Sequence, residues 1–167
     1  DDHMFADTLF GHTRGAFTGA TTSREGLVTR AGSGTLFLDE IGEMPVESQA
    51  RLLRLLDSGE FMRLGSDRRE FSQARIVCAT NRNLEKAVEE DRFRRDLYYR
   101  ISLHAVRIPP LRERPEDIAP LLTHLVALHA ERMGCEPLTV SHSVVKWLRT
   151  KPLLGNVREL EQIVVRS

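Results

Sequence analysis

The chain has 167 residues, 41% of them hydrophobic, with a formal net charge of +0. That length carries one globular domain with a real core and room for a small appendage, and the neutral balance excludes an overall field that would draw it to nucleic acid, leaving at most a local patch. No apolar run approaches the ~18 residues that span a bilayer and no signal peptide opens the chain, so no membrane role is expected.

The first thirty or so residues, with Gly11, Gly15, Gly19 and Gly26, read as helix fragments interrupted by a loop. Thr35–Leu38 is a short apolar run bounded by Gly34 and ending in Asp39-Glu40, which predicts a buried strand. Pro45 stands where a first helical turn begins, and Val46, Leu52, Leu53, Leu55 and Leu56 form an apolar helical face that closes before Gly59. Glu60 to Glu70 reads as a hairpin turning at Gly65-Ser66-Asp67. Ala74–Thr80 predicts a second buried strand, ended by Asn81-Arg82-Asn83. Its Cys78 is far in sequence from Cys135, so both read as buried free thiols and not as a disulfide, and a reducing cytoplasm is the expected location.

Helices are predicted near Leu84–Glu90 and from about Arg92 to Ile101, and a third strand from His104 to Ile108, stopped by Pro109-Pro110. Strands alternating with helices predict an α/β fold with a parallel sheet flanked by helices. Beyond Arg114-Pro115 the pattern turns helical: Glu116–Met133, Ser141–Arg149 and Val157–Val165. The boundary is set there, with an α/β part over 1–115 and a helical part over 116–167. Ser167 falls inside an apparent helix, and the opening Asp1 lacks a convincing first element, so both ends read as cuts.

Four features carry chemistry. The apolar strand ending in Asp39-Glu40 holds two carboxylates at a sheet edge, where one can bind the water shell of a magnesium ion and the other polarise an attacking water; acids there also serve as ordinary caps. Asn81 ends the neighbouring strand, either to orient that water or as a plain strand terminator. Arg92–Arg100 is a basic helical segment in which Asp96 stands four residues from both Arg92 and Arg100. Arg94 and Arg100 lie roughly 240° apart on a regular helix, so the helix must end or bend between them if both serve one phosphate. Finally, Asn156 reads as a helix cap with Glu159 closing a capping box, which puts Arg158 in the first turn, where the helix dipole disfavours a cation and an anionic ligand would explain it.

Gly15-Ala16-Phe17-Thr18-Gly19-Ala20 fits neither alternation nor a helical face. Together with Leu9-Phe10-Gly11-His12, Gly34–Met44, Ala79-Thr80-Asn81, Phe93–Arg100, Pro109–Arg114 and Gly155–Leu160, it resembles the central AAA+ domain of sigma-54-dependent transcription activators, from about Leu9 to Val165. The resemblance implies a P-loop NTPase core followed by a small helical lid, with ATP and Mg2+ as ligands. It implies that Asp39 and Glu40 are the Walker B pair, Asn81 sensor I, Arg94 and Arg100 the arginine-finger region reaching a neighbouring subunit, and Arg158 sensor II. It further implies that Gly15, Ala16, Phe17, Thr18, Gly19 and Ala20 form the loop that grips sigma-54 in RNA polymerase holoenzyme. The partners implied are a homo-oligomeric ring, usually a hexamer, and enhancer DNA through a domain absent from this chain.

The chain departs from the family pattern at two places. The phosphate loop G-x-x-x-x-G-K-[ST] needs a lysine after glycine, but Lys86, Lys146 and Lys151 follow Glu85, Val145 and Thr150. The resemblance implies that this loop and the first strands lie upstream, so the chain alone is expected to bind ATP poorly and hydrolyse little. Leu153-Leu154 stands where relatives carry Trp-Pro. Two competing readings are a different AAA+ machine whose loop has another client, and a binding module that never hydrolyses ATP. His124, His129 and His142 lack the spacing of a metal site.

Overall fold

In the computed structural model, which describes residues 2–166, the chain opens with helix α1 (Asp2–Phe10). A two-residue strand β1 (Gly11–His12) pairs antiparallel with β2 (Arg24–Glu25), closing the neck of the loop between them. Helix α2 (Leu27–Ala31) leads into β3 (Thr35–Leu38), α3 (Val46–Ser58), the hairpin β4 (Glu60–Phe61) and β5 (Glu70–Phe71), then β6 (Arg75–Cys78), α4 (Leu84–Glu89) and α5 (Arg95–Ile101). Helices α6 (Ile118–Met133), α7 (His142–Leu148) and α8 (Asn156–Arg166) follow. Asp1 and Ser167, the two ends read as cuts, lie outside the described residues.

The expected parallel pairing is present: β3 and β6 run side by side with Thr35 opposite Arg75 and Leu38 opposite Cys78. Alternate side chains of a strand point to opposite faces. Leu36 and Leu38 therefore enter a core with Leu9, Phe10, Val28, Leu52, Phe61 and Leu97, whereas Phe37 on the other face is 57% exposed. The strands are thus half-buried, and not covered on both faces as expected from their apolar runs. Helix α3 follows the sequence signals closely. Pro45 sits at its N-cap, and Gly59, at φ 73°, ends it by returning its N–H to the Leu55 carbonyl at 2.9 Å.

His104–Ile108, expected as a third strand, is not one. Ser102–His104 is a turn of 3-10 helix, and Val106 is 87% exposed. Alternating apolar residues make a strand only where a neighbour takes up the backbone N–H and C=O groups, and no ladder forms there among the described residues.

The chain divides into two compact units between Ala105 and Val106, not at 115. The intervening segment belongs with the helices, because Leu111 is fully buried among Ile118, Leu122, Leu148, Leu153 and Leu160. Asn156 also behaves differently from a helix cap. At φ 54° its side-chain oxygen accepts the Leu111 N–H at 2.8 Å, stitching that segment to the start of α8. Glu159 does not close the expected box on Asn156: it accepts the Gly155 N–H at 2.8 Å, one residue earlier, while the Asn156 N–H goes to the Leu153 carbonyl at 2.8 Å. Both cysteines are free thiols, but only Cys78 is partly buried; Cys135, just past the end of α6, is exposed and not buried as expected. No helix among the described residues is long and apolar enough to cross a membrane.

Candidate functional site

The ladder between β3 and β6 runs past their ends. Ala79 donates to the Leu38 carbonyl and Ile41 donates to the Ala79 carbonyl, both at 2.9 Å, so residues 39–41 lie beside 79–81. Gly42 makes this approach possible, since a Cβ there would lie 2.9 Å from Thr80 Oγ1. The crossing gathers Asp39, Glu40 and Asn81 at one exposed edge. The Asn81 amide Nδ2 donates to Glu40 Oε1 at 3.0 Å, and the Glu40 N–H is taken by Asp39 Oδ1 at 3.0 Å. Glu40 holds this position with φ 53° and ψ 45°, a left-handed conformation that costs a side-chain-bearing residue about 1–2 kcal/mol. In that conformation Glu40 also starts the turn Ile41–Glu43, its carbonyl accepting the Glu43 N–H at 2.9 Å. Beside it, Arg82 pairs with Glu43.

The basic segment is organised by a residue that sequence reasoning passed over. Gln49, on the buried face of α3 and 0% exposed, donates Nε2 to the carbonyls of Met44 at 2.8 Å and Arg92 at 3.0 Å, and accepts the Arg94 N–H at 2.8 Å. Its signal was a polar side chain three residues before Leu52, in line with an apolar helical stripe. The helix α5 starts only at Arg95, leaving Arg94 at its N-cap and outside the regular helix. Arg94 grips Asp96 with two bonds of 3.0 and 2.7 Å, which hold the Asp96 carboxyl below its usual range. Arg100 instead binds Asp57 at 3.1 Å and the Leu56 carbonyl at 2.8 Å. The pairings expected of Asp96 with Arg92 and Arg100 do not form, because Arg92 precedes the helix and turns to Glu90. Neither Arg94 nor Arg100 bonds Asp39, Glu40 or Asn81 among the described residues.

Arg158, in the second unit, is exposed in the first turn of α8 and makes no ion pair among the described residues. His129 pairs with Glu161 at 3.2 Å, and no group of three or more potential metal ligands gathers among the described residues. A magnesium ion would suit Asp39 nonetheless, because such ions are held by one or two carboxylates together with phosphates and water.

The segment Gly15–Ala20 is a self-closed loop. Gly15 donates to the Ala20 carbonyl at 2.8 Å and Ala20 to the Phe17 carbonyl at 3.0 Å. Gly15 at φ 81° and Gly19 at φ 98° supply turns that other residues rarely make, and a Cβ at either would meet nothing within 4 Å. Phe17 is 41% exposed, with its ring edge-on to His12 at a centroid distance of 5.0 Å. The loop is tied to the β4–β5 hairpin by Thr13, which donates its N–H to the Leu64 carbonyl at 3.0 Å.

Residues 1–107 match the sigma-54 interaction domain family, and residues 112–167 match an AAA+ ATPase lid domain. A Nif-specific regulatory protein of Azotobacter vinelandii is 51% identical over 98% of this chain and 31% of its own length. The DNA-binding transcriptional regulator NtrC of Rhizobium meliloti is 46% identical over 98% of this chain and 34% of its own length. The chain thus spans about a third of the curated relatives it matches. NtrX from Brucella abortus superposes with a TM-score of 0.90 at 32% identity, covering 99% of this chain and 37% of that one, and it has been crystallised with ADP and with ATP.

Proposed function

Because this chain belongs to the sigma-54 interaction domain family, we propose that within its intact protein it supplies most of an ATPase that remodels the closed promoter complex of sigma-54 RNA polymerase. The observation that carries this reading is the Asn81 amide set on the Glu40 carboxylate at 3.0 Å, at the end of two paired parallel strands.

Glu40 acts as the base that polarises the attacking water, and Asn81 fixes the orientation of its carboxylate. Asp39 would hold Mg2+, which neutralises charge on the nucleotide phosphates when bound. Arg94 and Arg100 act on the ATP of a neighbouring subunit, stabilising charge on the transferred phosphoryl group, so turnover requires a ring, expected to be a hexamer. Arg158 senses the nucleotide from the lid. The Gly15–Ala20 loop, with Phe17 at its exposed tip, contacts sigma-54. The 167-residue chain alone should turn over little ATP, since none of its lysines follows a glycine.

The test is Phe17→Ala in the intact protein. Hydrolysis should persist while sigma-54-dependent transcription is lost; transcription that survives the change would overturn the role given to the loop.

A further inference from the structure

The neck of the Phe17 loop contains a partly buried polar cluster that the hydrolytic chemistry does not use. In the β1–β2 ladder, His12 stands opposite Arg24. Both reach the same carboxylate, Asp7 of α1: His12 Nδ1 lies 2.5 Å from Oδ1 and Arg24 Nη1 lies 2.8 Å from Oδ2. The Asp7 and His12 side chains are only 12% and 10% exposed. Burial alone would raise the Asp7 carboxyl, but the hydrogen bonds from His12 and Arg24 outweigh it and hold the group below its usual range, so it is a carboxylate. The other ring nitrogen, His12 Nε2, lies 2.9 Å from the Thr22 carbonyl, on the returning limb of the loop. The two ring nitrogens thus place the imidazole between the Asp7 carboxylate of α1 and the Thr22 carbonyl of the returning limb. The same ring carries Phe17 edge-on at 5.0 Å.

One imidazole therefore touches α1, the returning limb and the tip of the loop. We propose that Asp7, His12 and Arg24 form a clamp at the loop neck, with His12 as the positioning residue that fixes the conformation in which Phe17 is presented. The functional meaning of the clamp rests on the reading of the loop as the sigma-54 contact; its geometry does not. The neck leaves little slack elsewhere, since a Cβ at Gly11 would lie 2.3 Å from the Arg24 carbonyl oxygen, and one at Gly26 would lie 2.3 Å from the Phe10 carbonyl carbon.

Amide hydrogen exchange on this chain tests the proposal. In His12→Ala, the Gly15 and Ala20 amides, which close the loop, should exchange roughly tenfold faster, as expected for loss of a charge-assisted hydrogen bond, while Leu52 and Leu55 in α3 keep their protection. Asp7→Asn, nearly isosteric, should do the same and keeps the test open if the alanine variant folds poorly. Unaltered loop exchange in both variants would overturn the clamp. In the intact protein, the same variants should reduce promoter opening about tenfold with ATPase activity within roughly twofold. Loosened loop amides with undiminished promoter opening would support the clamp and overturn the sigma-54 role given to the loop.

Discussion

Glu40 offers a direct measure of what the site costs the fold. Its φ of 53° lies where a Cβ is penalised by about 1–2 kcal/mol, and glycine escapes that penalty while losing roughly 0.5–1 kcal/mol more chain entropy on folding. Glu40→Ala and Glu40→Gly both delete the bond from Asn81, so that term cancels between them. What remains favours the glycine variant by about 1 kcal/mol, or roughly 4 °C in the midpoint of a unit of about 100 residues. The assay is thermal and urea unfolding followed by far-ultraviolet circular dichroism, because the single tryptophan, Trp147, lies in the second unit and does not report on this one. Both variants should also abolish hydrolysis in the intact protein. An alanine variant as stable as the glycine one would refute the argument that the backbone is held against its preference at this position.

Three further outcomes follow from the packing. Gln49→Leu strands the Met44 and Arg92 carbonyls and the Arg94 N–H, so urea unfolding should show a loss of about 3 kcal/mol or more, against under 1.5 kcal/mol if those groups rebind elsewhere. Gly65→Ala should destabilise by at least ~1 kcal/mol and disturb the Phe17 loop, seen as shifted amide resonances over Gly15–Ala20: Gly65 has φ 72°, and a Cβ there would lie 2.6 Å from Ala16 Cα. Asp7 titrates below its unfolded value, so its contribution is complete above the ordinary aspartate pKa of about 3.9 and is lost as pH falls through the lower folded value. Stability measured from pH 6 downward should therefore fall more steeply below about pH 4 in the unsubstituted chain than in Asp7→Asn.

Much of the α/β unit was legible because its signals are local. Gly34 and Asp39 bracket Thr35–Leu38, Pro45 and Gly59 bracket α3, and each boundary follows from backbone chemistry within a few residues. The meeting of Glu40 with Asn81 was legible too, since both stand at the same end of strands expected to run parallel. Other features depend on partners distant in sequence. Gln49 looks like a flaw in an apolar stripe until the backbone of Arg92 and Arg94 is seen against it. Asn156 looks like a cap until Leu111 presents its N–H. The apolar alternation of His104–Ile108 predicted a strand, but no pattern within a segment reveals whether a neighbouring edge exists to pair with it. The left-handed Glu40 had no signal at all: nothing in Leu-Asp-Glu-Ile announces a positive φ.

The central claim is that the Glu40 carboxylate, set by Asn81, activates the water that attacks ATP. The measurement that bears on it most directly is nucleotide affinity and turnover, taken on one preparation of the intact protein carrying Glu40→Gln. ATP should bind with unchanged affinity while turnover falls by about two to four orders of magnitude, the usual contribution of a positioned base. Turnover near that of the unsubstituted protein would contradict the account.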